Sequence, residues 1–150
     1  MVNVLISRCL LGEKCRYDGK GNSIDRLCEI KEKCNLIPVC PECDGGLSTP
    51  RLPSEIRNGK VYMTDGKDVT EEFARGAQAA LDTALKNGCD AAILKAKSPS
   101  CGSGKIYDGT FSGTLTDGDG ITAQLLKKRK IRVFSEKQTT EILKYLEEQK

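Results

Sequence analysis

Eight cysteines and no histidine define the chemistry open to this 150-residue chain. Without histidine there is no Cys–His nucleophile, no Ser-His-Asp triad and no His-ligated zinc or haem. Any reaction must rest on Cys, Asp, Glu, Ser, Thr, Tyr, Lys and Arg. Three cysteines stand out by position. Cys9 lies two residues beyond an apolar, β-branched run, Val2–Ser7. Cys40 ends a second such run, Leu36–Cys40, and Cys101 sits in the loop after a third, Ala91–Lys95. In open parallel α/β sheets, sites lie beyond the carboxyl ends of the strands. The three cysteines, far apart in sequence, are therefore expected at one sheet edge. Thiolate ligands select zinc or an iron–sulfur cluster. A fourth thiolate would close a cluster, whereas three leave one iron open, as catalytic zinc keeps an open position.

Their neighbours suit a reaction. Pro41-Glu42 follows Cys40 and puts a carboxylate two residues from the proposed metal. Ser98-Pro99-Ser100 precedes Cys101 and supplies two hydroxyls. Glycines 45, 46, 102 and 104 permit close backbone approach. The other cysteines divide. Cys89, in the turn NGCDAAIL, and Cys28 and Cys34, on a short helix, are read as buried small hydrophobes. Cys15 and Cys43 stay open between ligand and structural roles. Cys40-Pro-Glu-Cys43 is a C-x-x-C, which alone is a weak metal signal.

The elements that must position these groups alternate. A strand at 2–7 is followed by a loop over 12–22, a short helix at 25–34 and a strand at 36–40. Residues 41–58, with three prolines and two adjacent glycines, read as one long loop, and 61–64 as a short extended piece. The strongest helix is 69–87. Asp68 or Thr70 caps it, Glu71 and Glu72 suit its positive end, and Gly88 stops it. Its apolar stripe is Phe73, Ala77, Ala80, Leu81, Ala84 and Leu85. A strand at 91–95, a tight loop at 98–104, a helix at 121–130 and a strand at 131–134 follow. Ser135-Glu-Lys-Gln138 is a capping box for a last helix. This order predicts one α/β domain spanning 1–150. It should be a three-layer, Rossmann-like fold with a central, mainly parallel sheet and the metal site at the strands' carboxyl ends.

The length allows a core that needs no disulfides. The opening apolar run is too short for an export signal or a membrane span, so the expected compartment is the cytoplasm, where thiols stay reduced. A net charge of +3 and only seven aromatics give no basis for a nucleic-acid or membrane partner. The run Lys127–Lys130 is read as cations complementing a helix C-terminus.

Three segments carry a resemblance: SRCLLGEKCRYDG (7–19), CPECDGGLSTPRLPSE (40–55) and LKAKSPSCGSGKIYDGTFSGTLTDGDGITA (94–123). In this order they resemble the thiouracil desulfidase family, a bacterial family of compact α/β domains with a central parallel sheet. The likeness extends over nearly the whole chain. It implies a 4Fe–4S cluster held by Cys9, Cys40 and Cys101, the same three that strand-end placement selects. It implies that the open iron binds the sulfur of a thiocarbonyl. It assigns the acid/base carboxylate to Glu42 and a functional serine to Ser98, with Ser100 and Arg51 beside the substrate. Cys43 and the pair Cys28/Cys34 look like additions to the family pattern.

The expected reaction is non-redox removal of sulfur from a thiolated pyrimidine such as 2- or 4-thiouracil, as free base or nucleoside. The iron polarises the thiocarbonyl and Glu42 activates water. Three alternatives compete with it. One is a zinc- or cluster-binding module without catalysis, its zinc held by Cys40, Cys43 and two further cysteines. The second is a dithiol redox protein using Cys40-Pro-Glu-Cys43. The third is an enzyme of tRNA or sulfur metabolism acting on another thiolated compound.

Overall fold

A computed structural model describes residues 1–21 and 23–149; Asn22, at the end of the expected 12–22 loop, lies outside the described residues. In chain order the elements are β1 (Asn3–Ser7), a 3-10 turn (Arg8–Leu11), α1 (Leu27–Lys33), β2 (Asn35–Val39), α2 (Pro41–Asp44), β3 (Ser54–Arg57) and β4 (Lys60–Met63). Then come α3 (Thr70–Lys86), β5 (Ala91–Leu94), β6 (Lys105–Tyr107), β7 (Leu115–Asp117), α4 (Ile121–Lys128), β8 (Arg132–Ser135) and α5 (Thr139–Glu148).

Four strands form the central sheet in the order β2-β1-β5-β8, every neighbouring pair parallel. Buried on both faces, its inner strands are continuous apolar runs. Side chains alternate across them. Val4 and Ile6 of β1 and Ala91 and Ile93 of β5 meet Ile30, Phe134, Ile142 and Leu146, on the α1/α5 side. Leu5, Ala92 and Leu94 meet Ala80, Leu81, Ala84 and Leu126, on the α3/α4 side. Each fully buried Leu, Ile or Phe adds roughly 1.5–3 kcal/mol. Two helix layers thus enclose the sheet, as the alternating order predicts. Pro38, which donates no ladder hydrogen bond, is accommodated because β2 is an edge strand.

The expected long loop at 41–58 is a correction. Pro41 starts a one-turn helix, as proline at a first helical position does, and Gly45 follows it. Ser54–Arg57 then pairs antiparallel with Lys60–Met63. The turn between them is Asn58-Gly59, both at positive φ (52° and 79°), the residue pair a tight hairpin favours. A second hairpin, β6–β7, occupies the segment read only as Gly-rich. Two smaller revisions concern side chains: Leu85 is exposed rather than part of the α3 stripe, and Cys28 is exposed rather than buried. Ahead of α5, the Ser135 N–H donates to Gln138 Oε1 and Ser135 Oγ accepts the Lys137 N–H, so the capping residues engage one another before the helix begins.

Candidate active site

The carboxyl ends of β1, β2 and β5 open onto one cavity of about 420 Å³. That lies within the range of small-ligand sites, roughly 300–1,000 Å³. Cys9, Cys40 and Cys101 all border it, together with Glu42, Ser98 and Arg51. The three thiols are buried, at 7%, 9% and 5% exposure, and are free of disulfides.

Each is placed by a local device. Cys9 sits in the 3-10 turn directly after β1, closed by Gly12 at φ +92° donating to the Cys9 carbonyl. Cys40 lies between β2 and α2, where its N–H donates to Asp44 Oδ2 (3.1 Å). Cys101 is held in a loop that the N-terminus of α4 grips. The N–H groups of Ile121 and Thr122 donate to the carbonyls of Pro99 and Ser100, both at 2.8 Å. These would otherwise be unpaired donors of the first helical turn. The approach is so close that a Cβ at Gly120 would stand 2.5 Å from the Ser100 carbonyl, which only glycine avoids.

Ser98 ties the loop to the carboxylate. Its Oγ accepts the N–H groups of Ser100 and Cys101, each at 3.1 Å, and donates to Glu42 Oε2 at 3.5 Å. Glu42 Oε1 accepts Arg51 Nε–H at 3.1 Å. The Arg51 side chain is only 4% exposed. Its remaining nitrogens donate to the carbonyls of Ser48 and Cys15 and to Thr49 Oγ1. Arg51 therefore borders the cavity as an anchor for Glu42, with its guanidinium engaged by protein. Ser100 departs from the expected substrate contact. Its residue is fully buried, its hydroxyl bonds to Thr122 Oγ1 (2.8 Å), and it does not line the cavity.

Cys15 and Cys43, left open by sequence, join the same cluster. Cys15 is buried and borders the cavity, and the Cys40 thiol reaches its carbonyl (3.9 Å). Cys43 reaches the Cys15 carbonyl (3.6 Å) and Thr49 Oγ1 (3.2 Å). Cys34 and Cys89 are buried in the two helix–sheet cores, as expected of small hydrophobes. Sequence reasoning missed Ser7, whose hydroxyl donates to Cys101 Sγ at 3.5 Å; its place at the end of β1 is the signal.

Burial pushes the Cys101 thiol up to about 12, with the Ser7 hydroxyl working against it. Cys40 is driven up by its hydrogen bond with Cys15 and by burial. Protonated thiols of this kind release their protons when they take a metal. Among the described residues, no three Cys, Asp or Glu side chains are grouped to hold a single metal ion. Three buried thiols around a cavity, with a hydroxyl on one of them, fit the donor chemistry of an iron–sulfur cluster.

Fold and site together define an α/β protein with a thiol-lined cavity at a topological sheet edge, equipped with one carboxylate–serine pair. The chain belongs to the 2-thiouracil desulfurase family, whose profile matches residues 4–138. It is 42% identical to the uncharacterized protein YbbK of Bacillus subtilis (strain 168), over 93% of this chain and 99% of that one. It is also similar to a solved structure, the [4Fe-4S]-dependent thiouracil desulfidase TudS. That match has 43% identity, a TM-score of 0.93, and covers 98% of this chain and 99% of the other. Among the described residues no helix is long and apolar enough to cross a membrane.

Proposed function

We propose that this chain is a 4Fe–4S-dependent desulfidase that hydrolyses the thiocarbonyl of a thiolated pyrimidine, 2- or 4-thiouracil, as free base or nucleoside. The observation that carries the reading is the meeting of Cys9, Cys40 and Cys101 with the Glu42–Ser98 pair around one cavity. It is supported by likeness over almost the full length to a solved desulfidase.

Cys9, Cys40 and Cys101 would hold the cluster, which supplies a soft Lewis-acidic iron for the substrate sulfur. The chain's own residues do the proton work. Glu42 takes a proton from the attacking water, and Arg51 fixes the carboxylate from its other oxygen. Ser98 orients the water or relays the proton, being hydrogen-bonded to Glu42 already. Water supplies the new carbonyl oxygen and the sulfur leaves as hydrosulfide, with no net electron transfer. A site without histidine runs this chemistry on a carboxylate and a hydroxyl alone.

The test is anaerobic purification with iron and sulfide counted, then assay of sulfide release from 2- and 4-thiouracil. About four irons and four sulfides per chain and release of uracil support the reading. One zinc without sulfide, or a loaded protein that leaves both thiouracils intact, refutes it. One observation favours a second reading, a closed cluster without turnover: a fourth buried cysteine, Cys15, borders the same cavity as Cys9, Cys40 and Cys101. Loss of cluster in Cys15→Ser would select it.

A further inference from the structure

The lining of the cavity also includes a residue that the desulfuration chemistry does not use. Phe111, at the tip of the β6–β7 hairpin, borders the cavity together with Tyr107 and Pro53. Its φ is +55°. For an aromatic residue the left-handed region is a costly conformation, and such strain persists only where surrounding structure enforces it.

The enforcing contacts are explicit. Glu55 of β3 is buried, at 8% exposure. Its Oε1 accepts the N–H groups of Gly109 (2.9 Å) and Phe111 (3.2 Å). Arg57 donates to the Gly109 carbonyl from Nε (3.2 Å) and Nη2 (2.6 Å). A Cβ at Gly109 would stand 2.6 Å from the Ile56 carbonyl, so the tip is pressed onto β3. Asp108 Oδ1 accepts both the N–H and the hydroxyl of Thr110. A buried carboxylate and a guanidinium are thus spent on holding one half-buried phenyl ring against the cavity in an unfavourable backbone conformation.

We infer that Phe111 is the specificity-determining residue for the ring of the substrate. It offers an aromatic face to a planar pyrimidine, while Glu55 and Arg57 act as positioning residues. This deepens the desulfidase reading and rests on it for the identity of the ring. Aromatic stacking of a base is sequence-tolerant, so one residue serves 2-thio and 4-thio isomers alike.

The experiment uses the anaerobically loaded protein and two probes. Uracil, titrated by calorimetry, carries the ring without the sulfur, so its affinity reports the ring contact apart from turnover. Thioacetamide, assayed for sulfide release, carries the sulfur without the ring. Phe111→Gly removes the phenyl group yet suits the positive φ, so the fold is retained, and a thermal melt checks it. Uracil binding should weaken about 5- to 100-fold. KM for 2-thiouracil should rise similarly while kcat changes little, and any thioacetamide turnover should be unaltered. Phe111→Trp should keep uracil affinity at or above wild type. Glu55→Gln, which preserves an accepting oxygen, should sit closer to wild type than Glu55→Ala. Unchanged uracil affinity in Phe111→Gly, or no uracil binding by the wild type, overturns the inference. A wild type that binds uracil through Phe111 but releases no sulfide from thiouracil would sink the reaction while upholding the ring contact.

Discussion

Gly76 is the position where local propensity and tertiary packing disagree most sharply. It lies inside α3, where glycine is about 1 kcal/mol worse than alanine. Helix propensity alone therefore makes Gly76→Ala stabilising. The structure reverses the sign. A Cβ at Gly76 would stand 1.7 Å from the Pro41 carbonyl oxygen and 2.5 Å from its carbon, whereas ordinary contact begins near 3.4 Å. The neighbour is backbone and has no rotamer to escape into, so α2 and α3 must separate. The same seam holds Gly45, whose Cβ would stand 2.0 Å from the Glu72 carbonyl oxygen. Overpacking costs about 1–3 kcal/mol. With the upper end set against the propensity gain, the net loss is about 2 kcal/mol, or roughly 4–8 °C in Tm for a chain of this size. Because α2 carries Glu42 and follows Cys40, iron content and turnover should fall with Tm. The assay is a thermal melt with iron counted on the same sample. Ala74→Gly, at an exposed site on the same helix, serves as control and should lose about 1 kcal/mol with iron unchanged. A Gly76→Ala protein that melts at or above wild type with a full cluster would show the α2–α3 contact to be unimportant.

Glu42→Gln should keep the cluster's visible absorbance and lose about 10²–10⁴-fold in sulfide release; undiminished turnover would remove Glu42 from the reaction. Cys9→Ser, Cys40→Ser and Cys101→Ser should each lose brown colour and iron, whereas Cys28→Ser, at an exposed position, should change Tm by less than about 0.5 kcal/mol equivalent. Glu136 gives a pH dependence. Burial pushes its carboxyl up, but Lys95 and the Ala96 N–H outweigh that and leave it below the ordinary value. A lowered folded value means stability present above the unfolded carboxyl range and lost as pH falls through the folded one. Glu136→Gln should therefore cost about 1.5 kcal/mol near pH 7, and its Tm gap from wild type should close in acid; a gap that is constant from pH 7 to pH 3 contradicts the assignment.

The sheet and its helices were legible because their signals are periodic and local. Val2–Ser7, Leu36–Cys40, Ala91–Lys95 and Ile131–Phe134 are apolar runs bounded by polar turns, and each falls within a residue or so of a strand. Strand ends then located Cys9, Cys40 and Cys101. Of the two hairpins, the extended piece at 61–64 marked β4, while β3 and the β6–β7 pair escaped for a different reason. β3, β6 and β7 hold only one or two apolar residues each, so period-2 alternation is faint; Asn58-Gly59 marks the β3–β4 turn. Cys15 could not be placed because nothing local says that the loop after Leu11 folds back onto Cys40. Ser100 shows the converse. The family resemblance set it beside the substrate, whereas its hydroxyl bonds to Thr122 Oγ1 and it is not among the residues lining the cavity.

The placement of Ser98 explains how two separate requirements are met by one loop. A cluster ligand must be fixed to a few tenths of an ångström, and so must an acid/base group relative to it. Here the Cys101 N–H and the Glu42 carboxylate share a single hydroxyl, the first donating to it and the second accepting from it. Cys101 comes from the end of β5 and Glu42 from the end of β2, and β1 lies between those strands. Ser7, at the end of β1, adds a bond to Cys101 and accepts the Lys95 N–H (3.1 Å) from the residue after β5. The proposed ligand and the proposed base are thereby referenced to the same parallel sheet. Arg51 fixes the second carboxylate oxygen from a loop that also reaches Cys15. With no histidine in the chain, the proposed proton transfer falls to this carboxylate, and these shared bonds hold it in place.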